Sequence, residues 1–208
     1  MKIVCISDTH NKHREIEVPQ GDILIHAGDF SGHGKPSELS AFNHWLGELP
    51  HRHKMIIAGN HDFLFERDPQ LARSLITEAI YLENELIEIE GLRIYGSPAT
   101  PWFFNWAFNY HRGPEIKAIW DRIPQAIDIL ITHGPPFEIL DQVLNGKQVG
   151  CEMLAQWLDA QDHAPALHVF GHIHEAAGRI QKAQTTFINA CQLDIRYRVQ
   201  SNPQVFEL

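Results

Sequence analysis

Cysteine is scarce in this chain, and what there is carries no pattern. Cys5, Cys151 and Cys191 are scattered, odd in number and without Cys-x-x-Cys spacing. That excludes a disulfide framework and a thiolate-held structural zinc, and it leaves buried, inert thiols in a reducing compartment as the expectation. Long hydrophobic runs are also missing; none approaches the roughly 20 residues that a membrane span needs. Met1 to Ile6 enter a strand-like run at once with no cleavage site behind it, so a cytoplasmic protein without membrane association is expected. Positive charge is in short supply. The 17 Lys and Arg against 26 Asp and Glu give a formal net charge of -9, which argues against a surface that tracks the backbone of long nucleic acid. A small anionic substrate stays open if cations are supplied locally. There is no linker, repeat or low-complexity segment, and 44% hydrophobic residues in a chain of 208 suffice for a sizeable core. One domain over residues 1–208 is the expectation.

What the chain does have is histidine, fourteen in all, a common metal ligand and the natural proton-transfer group near neutral pH. Position separates the ordinary ones from the rest. Short apolar runs rich in β-branched residues at Ile3 to Ile6, Ile23 to Ile25, Met55 to Ala58, Ile129 to Ile131 and Ala166 to Phe170 predict strands buried on both faces. Leu39, Phe42, Trp45, Leu46 and Leu49 recur at helical spacing before Pro50; Asp68-Pro69 and Pro114 open two further helical patterns, and Met153, Leu154, Trp157 and Leu158 form another. Two pairs of partly alternating runs, Leu86 to Glu90 with Leu92 to Gly96 and Arg179 to Lys182 with Thr185 to Asn189, predict hairpins, the second leading into a polar β-like tail. Strand–helix alternation followed by hairpins predicts an α/β fold: two mixed β-sheets packed face to face with helices on the outside.

Each apolar run is followed by polar residues of metal-binding type. Asp8-Thr9-His10 follows the first, Gly28-Asp29 the second, Gly59-Asn60-His61-Asp62 the third, His133-Gly134 the fourth and Gly171-His172-Ile173-His174 the fifth. Ligands of open α/β sheets bind beyond the carboxyl ends of the strands, where loops converge. Singly these signals are ordinary turn chemistry. Together, in this order and each at a strand end, they point to a metal centre.

The set resembles the calcineurin-like metallophosphoesterase superfamily, whose pattern runs DxH, GD, GNH[DE], H and GHxH. Ala27 to Phe30, Gly96-Ser97-Pro98, Trp102 to Asn109 and Thr132 to Pro136 resemble its small metallophosphoesterase-domain-containing subgroup. The resemblance implies a four-layer αββα sandwich holding two divalent metal ions. Asp8, His10 and His174 would hold one, Asn60, His133 and His172 the other, and Asp29 would bridge them. His61 would be the proton donor rather than a ligand, and Asp62 would orient a neighbour or sit in a surface turn. A hydroxide between the two metals would attack phosphorus, and the leaving group would take its proton from His61. A donor set of Asp, Asn and His without thiolate suits Mn²⁺, Fe or catalytic Zn²⁺, with Mn²⁺ the first choice.

The second motif lacks the extension GDxxDRG of the phosphoprotein phosphatases, since Phe30-Ser31-Gly32-His33-Gly34 follows Asp29. That argues against phosphoprotein substrates and leaves His33 as either a glycine-flanked surface histidine or a candidate phosphate contact in place of the missing arginine. Within the aromatic stretch from Trp102 through Phe103 to Phe108, Trp102, Phe104 and Trp106 are candidate substrate contacts whose rings can stack on a nucleobase. The alternative is that most of these rings pin a long loop onto the core. The subgroup resemblance implies a phosphodiesterase acting on small phosphodiesters such as cyclic nucleotides. A phosphomonoesterase on the same metals is the alternative. A DNA nuclease would bring a basic surface that this chain lacks, and a non-catalytic scaffold on the same fold would be expected to have lost ligand positions, all of which are filled. Among the remaining histidines, His26 is expected to be buried in its strand or to support the ligands, and His44, His51 and His53 to be solvated.

Overall fold

The computed structural model describes residues 1–208. In chain order the strands are β1 (Lys2–Ile6), β2 (Ile23–His26), β3 (His53–Ile56), β4 (Ile80–Tyr81), β5 (Glu85–Ile89), β6 (Leu92–Ser97), β7 (Thr100–Pro101), β8 (Asn109–Tyr110), β9 (Ile129–Thr132), β10 (Leu167–Phe170), β11 (Gly178–Lys182), β12 (Thr185–Asn189) and β13 (Gln204–Glu207). The helices are α1 (Pro36–Glu48), α2 (Leu64–Arg67), α3 (Pro69–Leu75), α4 (Pro114–Trp120) and α5 (Glu152–Asp159). One sheet has the order β13-β1-β2-β3-β4, the other β11-β12-β10-β9-β6-β5, and β7 and β8 form a small separate pair. Both predicted hairpins are present, as β5–β6 and β11–β12. The tail after β12 returns as β13, antiparallel to β1.

Side chains alternate across the pleat, and this sorts the apolar residues into layers. Ile3 and Cys5 of β1, with Ile23 and Ile25 of β2, meet Ile94, Ile129, Ile131, Val169 and Ile188 of the other sheet in the central core. Val4, Ile6 and Leu24 point the other way and are covered by Leu39, Phe42, Trp45 and Leu46 of α1 and Ala72 of α3. On the far side, Tyr95, Leu130 and Phe170 lie beneath Ile116, Ile119 and Trp120 of α4 and Leu154 and Leu158 of α5. The result is the expected αββα stack. No helix of the chain is long and apolar enough to cross a membrane.

Local chemistry fixes the helix ends. Pro36 opens α1, where the Glu38 carboxylate accepts from the backbone N–H groups of Lys35 and His33. Asp68 caps α3 by accepting from Leu71 N at 3.1 Å, with Pro69 at the first helical position. One expectation fails here: His51 is buried, its Nε2 3.0 Å from the Pro19 carbonyl, because the chain entering β3 passes under the loop that precedes β2. His53 lies within β3 and is half-buried against Glu90, whereas His44 is exposed as expected.

Strands β1 to β4 run parallel, as do β6, β9, β10 and β12. The loops that leave these strands therefore emerge along one edge of the stack, and backbone bonds lace them together. Asp8 N donates to Gly28 O, His10 N to Asp29 O and Gly171 N to His133 O. Asp62 is the strongest tie. It is fully buried, not a surface carboxylate, and it accepts from Gly59 N, Asp29 N, Ser31 N and Ser31 Oγ at 2.6–3.0 Å. Removing it strands several buried donors at once, each worth about 1–3 kcal/mol. Asp62→Ala is expected to lose about 3 kcal/mol or more in denaturant unfolding, with Asp62→Asn losing less because it keeps one acceptor oxygen.

Candidate metal centre

The loops at this edge bend sharply. Asp8, His10, Asp29 and His172 all have left-handed backbone, with φ of 55, 38, 56 and 70°. Asp tolerates this conformation better than most residues; histidine adopts it at a cost of order 1–3 kcal/mol. Two glycines permit the crowding that results. A Cβ at Gly59 would run into the Asp29 carboxylate and amide, and one at Gly171 into the Asp8 carboxylate and Ser7.

These bends bring the sequence-predicted residues into two trios that match the expected groupings. The ligand atoms of Asp8, His10 and His174 lie within 4.8 Å of one another, as do those of Asp29, His133 and His172. Asn60 joins the second trio through Oδ1, 3.0 Å from His133 Nε2. Asp29 lies between the trios: its Oδ2 is 3.3 Å from His133 Nε2, 3.8 Å from His10 Nε2 and 4.0 Å from His61 Nε2. On the other side His174 Nε2 and His10 Nε2 stand 3.5 and 3.9 Å from Asp8 Oδ1. His61 forms a third grouping with His10 and Asp29, so it sits at the edge of both trios.

Backbone carbonyls set the ring orientations. His133 Nδ1 is 2.9 Å from Ala27 O, His61 Nδ1 2.8 Å from Gly32 O and His174 Nδ1 2.8 Å from Leu193 O. A carbonyl oxygen only accepts, so Nδ1 carries the hydrogen and Nε2 faces the centre. Asp8 Oδ2 accepts from His172 N and Cys191 Sγ, while Asp29 Oδ1 accepts from His61 N at 2.7 Å. What remains unsatisfied is informative. Asp8 Oδ1 and both ring nitrogens of His10 are buried without any hydrogen-bond partner. Buried polar atoms are ordinarily paired, and a carboxylate oxygen without a hydrogen-bond partner that faces the Nε2 atoms of His10 and His174 is a place that a cation would complete. The residues fit a pair of divalent ions.

Electrostatics agree with that fit. Burial alone would raise the Asp29 carboxyl, but His133 and the other histidines outweigh it and hold the group well below the usual range. Asp8 is lowered for the same reason, His133 and His174 overcoming burial. Burial drives His10 down to about 4 and His172 down to about 3, so both are neutral, as ligands must be. His133 behaves oppositely: burial lowers it, but Asp29 beside it lifts it to about 9. Burial and then the Asp29 charge raise Asp62 to about 7, against the pull of its hydrogen-bond donors.

Aromatic rings flank the histidines. Trp106 lies 4.3 Å, ring to ring, from His61, and Phe103 is 5.0 Å from His172. A cleft of 430 Å³ opens over Asp29, Asn60, His61, His172 and His174, walled by Trp102 and Phe103. Phe104 does not take part: its side chain is 76% exposed, because a left-handed backbone at φ 47° turns it outward and leaves Phe103 in the inner position. His33 is exposed, its ring 6.3 Å from that of His61. Tyr197, Cys191 and the Leu193 carbonyl carried no functional signal in the sequence, and Phe103 stood there only as one ring of the aromatic stretch, with Phe104 preferred to it. Only the aromatic pair Phe103-Phe104 carried a signal, and the choice within it depended on the backbone.

The geometry has counterparts among known proteins. The human metallophosphoesterase domain-containing protein 1 is 42% identical over 231 residues, covering 100% of this chain and 71% of that protein. A Caenorhabditis elegans protein, UPF0046 protein K07C11.7, is 36% identical, covering 99% of this chain and 74% of its own. The crystal structure of TT1561 of Thermus thermophilus shares the fold with a TM-score of 0.63 at 14% identity, covering 97% of this chain and 98% of that one. Residues 1–176, which carry all five ligand motifs, match the calcineurin-like phosphoesterases as a family, and this chain belongs to that family.

Proposed function

We propose that this phosphoric ester hydrolase is a phosphodiesterase for small phosphodiesters, cyclic nucleotides among them, with His61 as its proton donor and manganese as its working metal. The observation that carries the reading is Asp29 Oδ2, which faces ligand nitrogens from both trios at 3.3 and 3.8 Å. Asp8, His10 and His174 would hold one ion and Asn60, His133 and His172 the other, Asp29 belonging to both. Bound there, two divalent cations supply the chemistry that phosphoryl transfer needs: a lowered pKa for water and neutralised charge on the phosphoryl oxygens.

The chain's own residues do the rest. The Asp29 carboxylate fixes the His61 backbone by accepting its N–H, and Gly32 O fixes its ring. Nε2 is then the atom left to give a proton to the departing oxygen, help typically worth about 10²–10⁴-fold. Trp106 backs the ring and limits its motion. Arg112 lines the cleft but is engaged by Gly150 O, Val149 O and Glu152. Lys147 lines it too, forms no ion pair, and can meet a substrate anion. Trp102, half-exposed at the rim, offers a stacking surface for a base, and His33 lies beyond His61 as a further phosphate contact.

Metal-stripped protein is expected to regain hydrolysis of an aryl phosphodiester on addition of Mn²⁺, with the matching monoester cleaved more slowly. The reverse order of rates would favour the monoesterase. His61→Ala should keep two metals per chain by elemental analysis while kcat falls about 10²–10⁴-fold; loss of metal would make His61 a ligand. Asp29→Asn should weaken both metal sites together in a titration, and loss of one alone would remove Asp29 from its bridging place.

A further inference from the structure

Beyond residue 176, outside the stretch that matches the calcineurin-like phosphoesterases as a family, the chain returns to the site. Gln192 N donates to Ser7 O, Cys191 Sγ to Asp8 Oδ2, and Leu193 O accepts from His174 Nδ1. From there the chain makes a tight turn. Tyr197 N donates to Asp194 O, Asp194 N to Arg198 O, and Leu193 and Val199 pair across the base. The Asp194 carboxylate clamps the turn, accepting from Arg196 N, Arg198 N and the Arg198 guanidinium at 2.6–2.9 Å.

The residue this turn presents is out of place by local rules. Tyr197 has φ 57°, a left-handed conformation that Gly or Asn adopts readily and that a tyrosine adopts under strain. Burial in the core does not explain it, since the residue is 43% exposed. Its ring stands edge-on to His10 at 4.8 Å and to His174 at 5.8 Å, and it lines the same cleft as Trp102 and Phe103. Strained backbone clusters at ligand-contacting positions, and here a multiply bonded turn holds it beside the candidate metal centre.

We infer that Tyr197 is a substrate-contacting residue: its ring walls the Asp8–His10–His174 side of the cleft and selects phosphoesters whose non-leaving substituent is aromatic. The inference rests on the phosphodiesterase reading for its direction. In an in-line displacement the attacking oxygen lies opposite the departing one, so the group that stays on phosphorus projects to the side. Tyr197, which shares His10 as a ring neighbour with His61, stands beside that position. An aromatic group meeting the Tyr197 ring edge-to-face or offset gains beyond simple burial, whereas a methyl group does not.

The test uses Mn²⁺-loaded protein and two phosphonates that differ only in the ring, phenylphosphonate and methylphosphonate, with binding measured by calorimetry. Wild type should bind the phenyl compound roughly three- to tenfold tighter. Tyr197→Gly should abolish that preference with Tm unchanged or raised, because the strain is relieved, and Tyr197→Phe should keep it. An unchanged preference in Tyr197→Gly would overturn the inference. Equal weakening of both phosphonates with a fall in Tm would also overturn it, by making the residue structural. A phenyl preference that depends on Tyr197 in a protein that cleaves no diester would uphold the wall while sinking the phosphodiesterase reading.

Discussion

The Asp29 carboxylate is the group around which the edge of the sandwich is organised. One of its oxygens accepts from His61 N, and the other faces the Nε2 atoms of His133, His10 and His61. Its own backbone serves the same end, the N–H donating to Asp62 and the carbonyl accepting from His10 N. Four segments thereby converge on one residue: the β1 loop, the β2 loop, the β3 loop and the β9 end. An anion this deeply buried cannot stand without cationic or hydrogen-bonding partners. His133, lifted to about 9, supplies positive charge beside it in the absence of metal, and metal binding at Nε2 would displace that proton.

Holding such a centre works against stability, and the cost is visible. Left-handed backbone at Asp8, His10, Asp29 and His172, unpartnered atoms on Asp8 and His10, and neutral histidines forced into burial all raise the energy of the folded chain. The three apolar layers offset it. Ile3, Ile25, Ile129 and Val169 are fully buried between the sheets, and burying each such side chain contributes about 1.5–3 kcal/mol. The layers also give rigidity, so the ligand loops spring from strands that cannot shift independently. A bound cation would then recover part of the strain as affinity.

How much of this could be read in the sequence follows from what each part depends on. The layers were legible because pleat alternation and helical spacing are written in residue type, as at Ile3 to Ile6 and Leu39 to Leu46. The candidate metal-binding residues were legible as a group because only a few residue types can hold a metal, and five clusters of them followed five strands that end at one edge. The acceptors that orient the ligands were not. Ala27 O, Gly32 O and Leu193 O are backbone atoms, and any residue at those positions would supply the same carbonyl. Phe103 and Phe104 were indistinguishable until the left-handed turn at Phe104 chose between them. His51 and Asp62 were misjudged or left open for a related reason: burial of a polar residue depends on which loop crosses it.

The two sheets carry the same supporting device, which sequence position alone does not show. In the first, His26 on β2 places Nε2 3.0 Å from the hydroxyl of Thr9, which stands in sequence between Asp8 and His10. In the second, His168 on β10 places Nε2 2.9 Å from the hydroxyl of Thr132, next to His133. Burial lowers both histidines to about 3, so both are neutral, and in both Nδ1 has no partner. The Thr132 hydroxyl donates to Gly134 O, so His168 Nε2 must be the donor to Thr132 and its unpaired Nδ1 a bare acceptor. A leucine would fill either space without leaving a buried nitrogen unsatisfied. What the histidine adds is a directional bond to a threonine at the root of a ligand loop. Each sheet thus ties a strand to the root of a candidate metal-binding loop, while Asp29 and Asp62 tie the loops to one another.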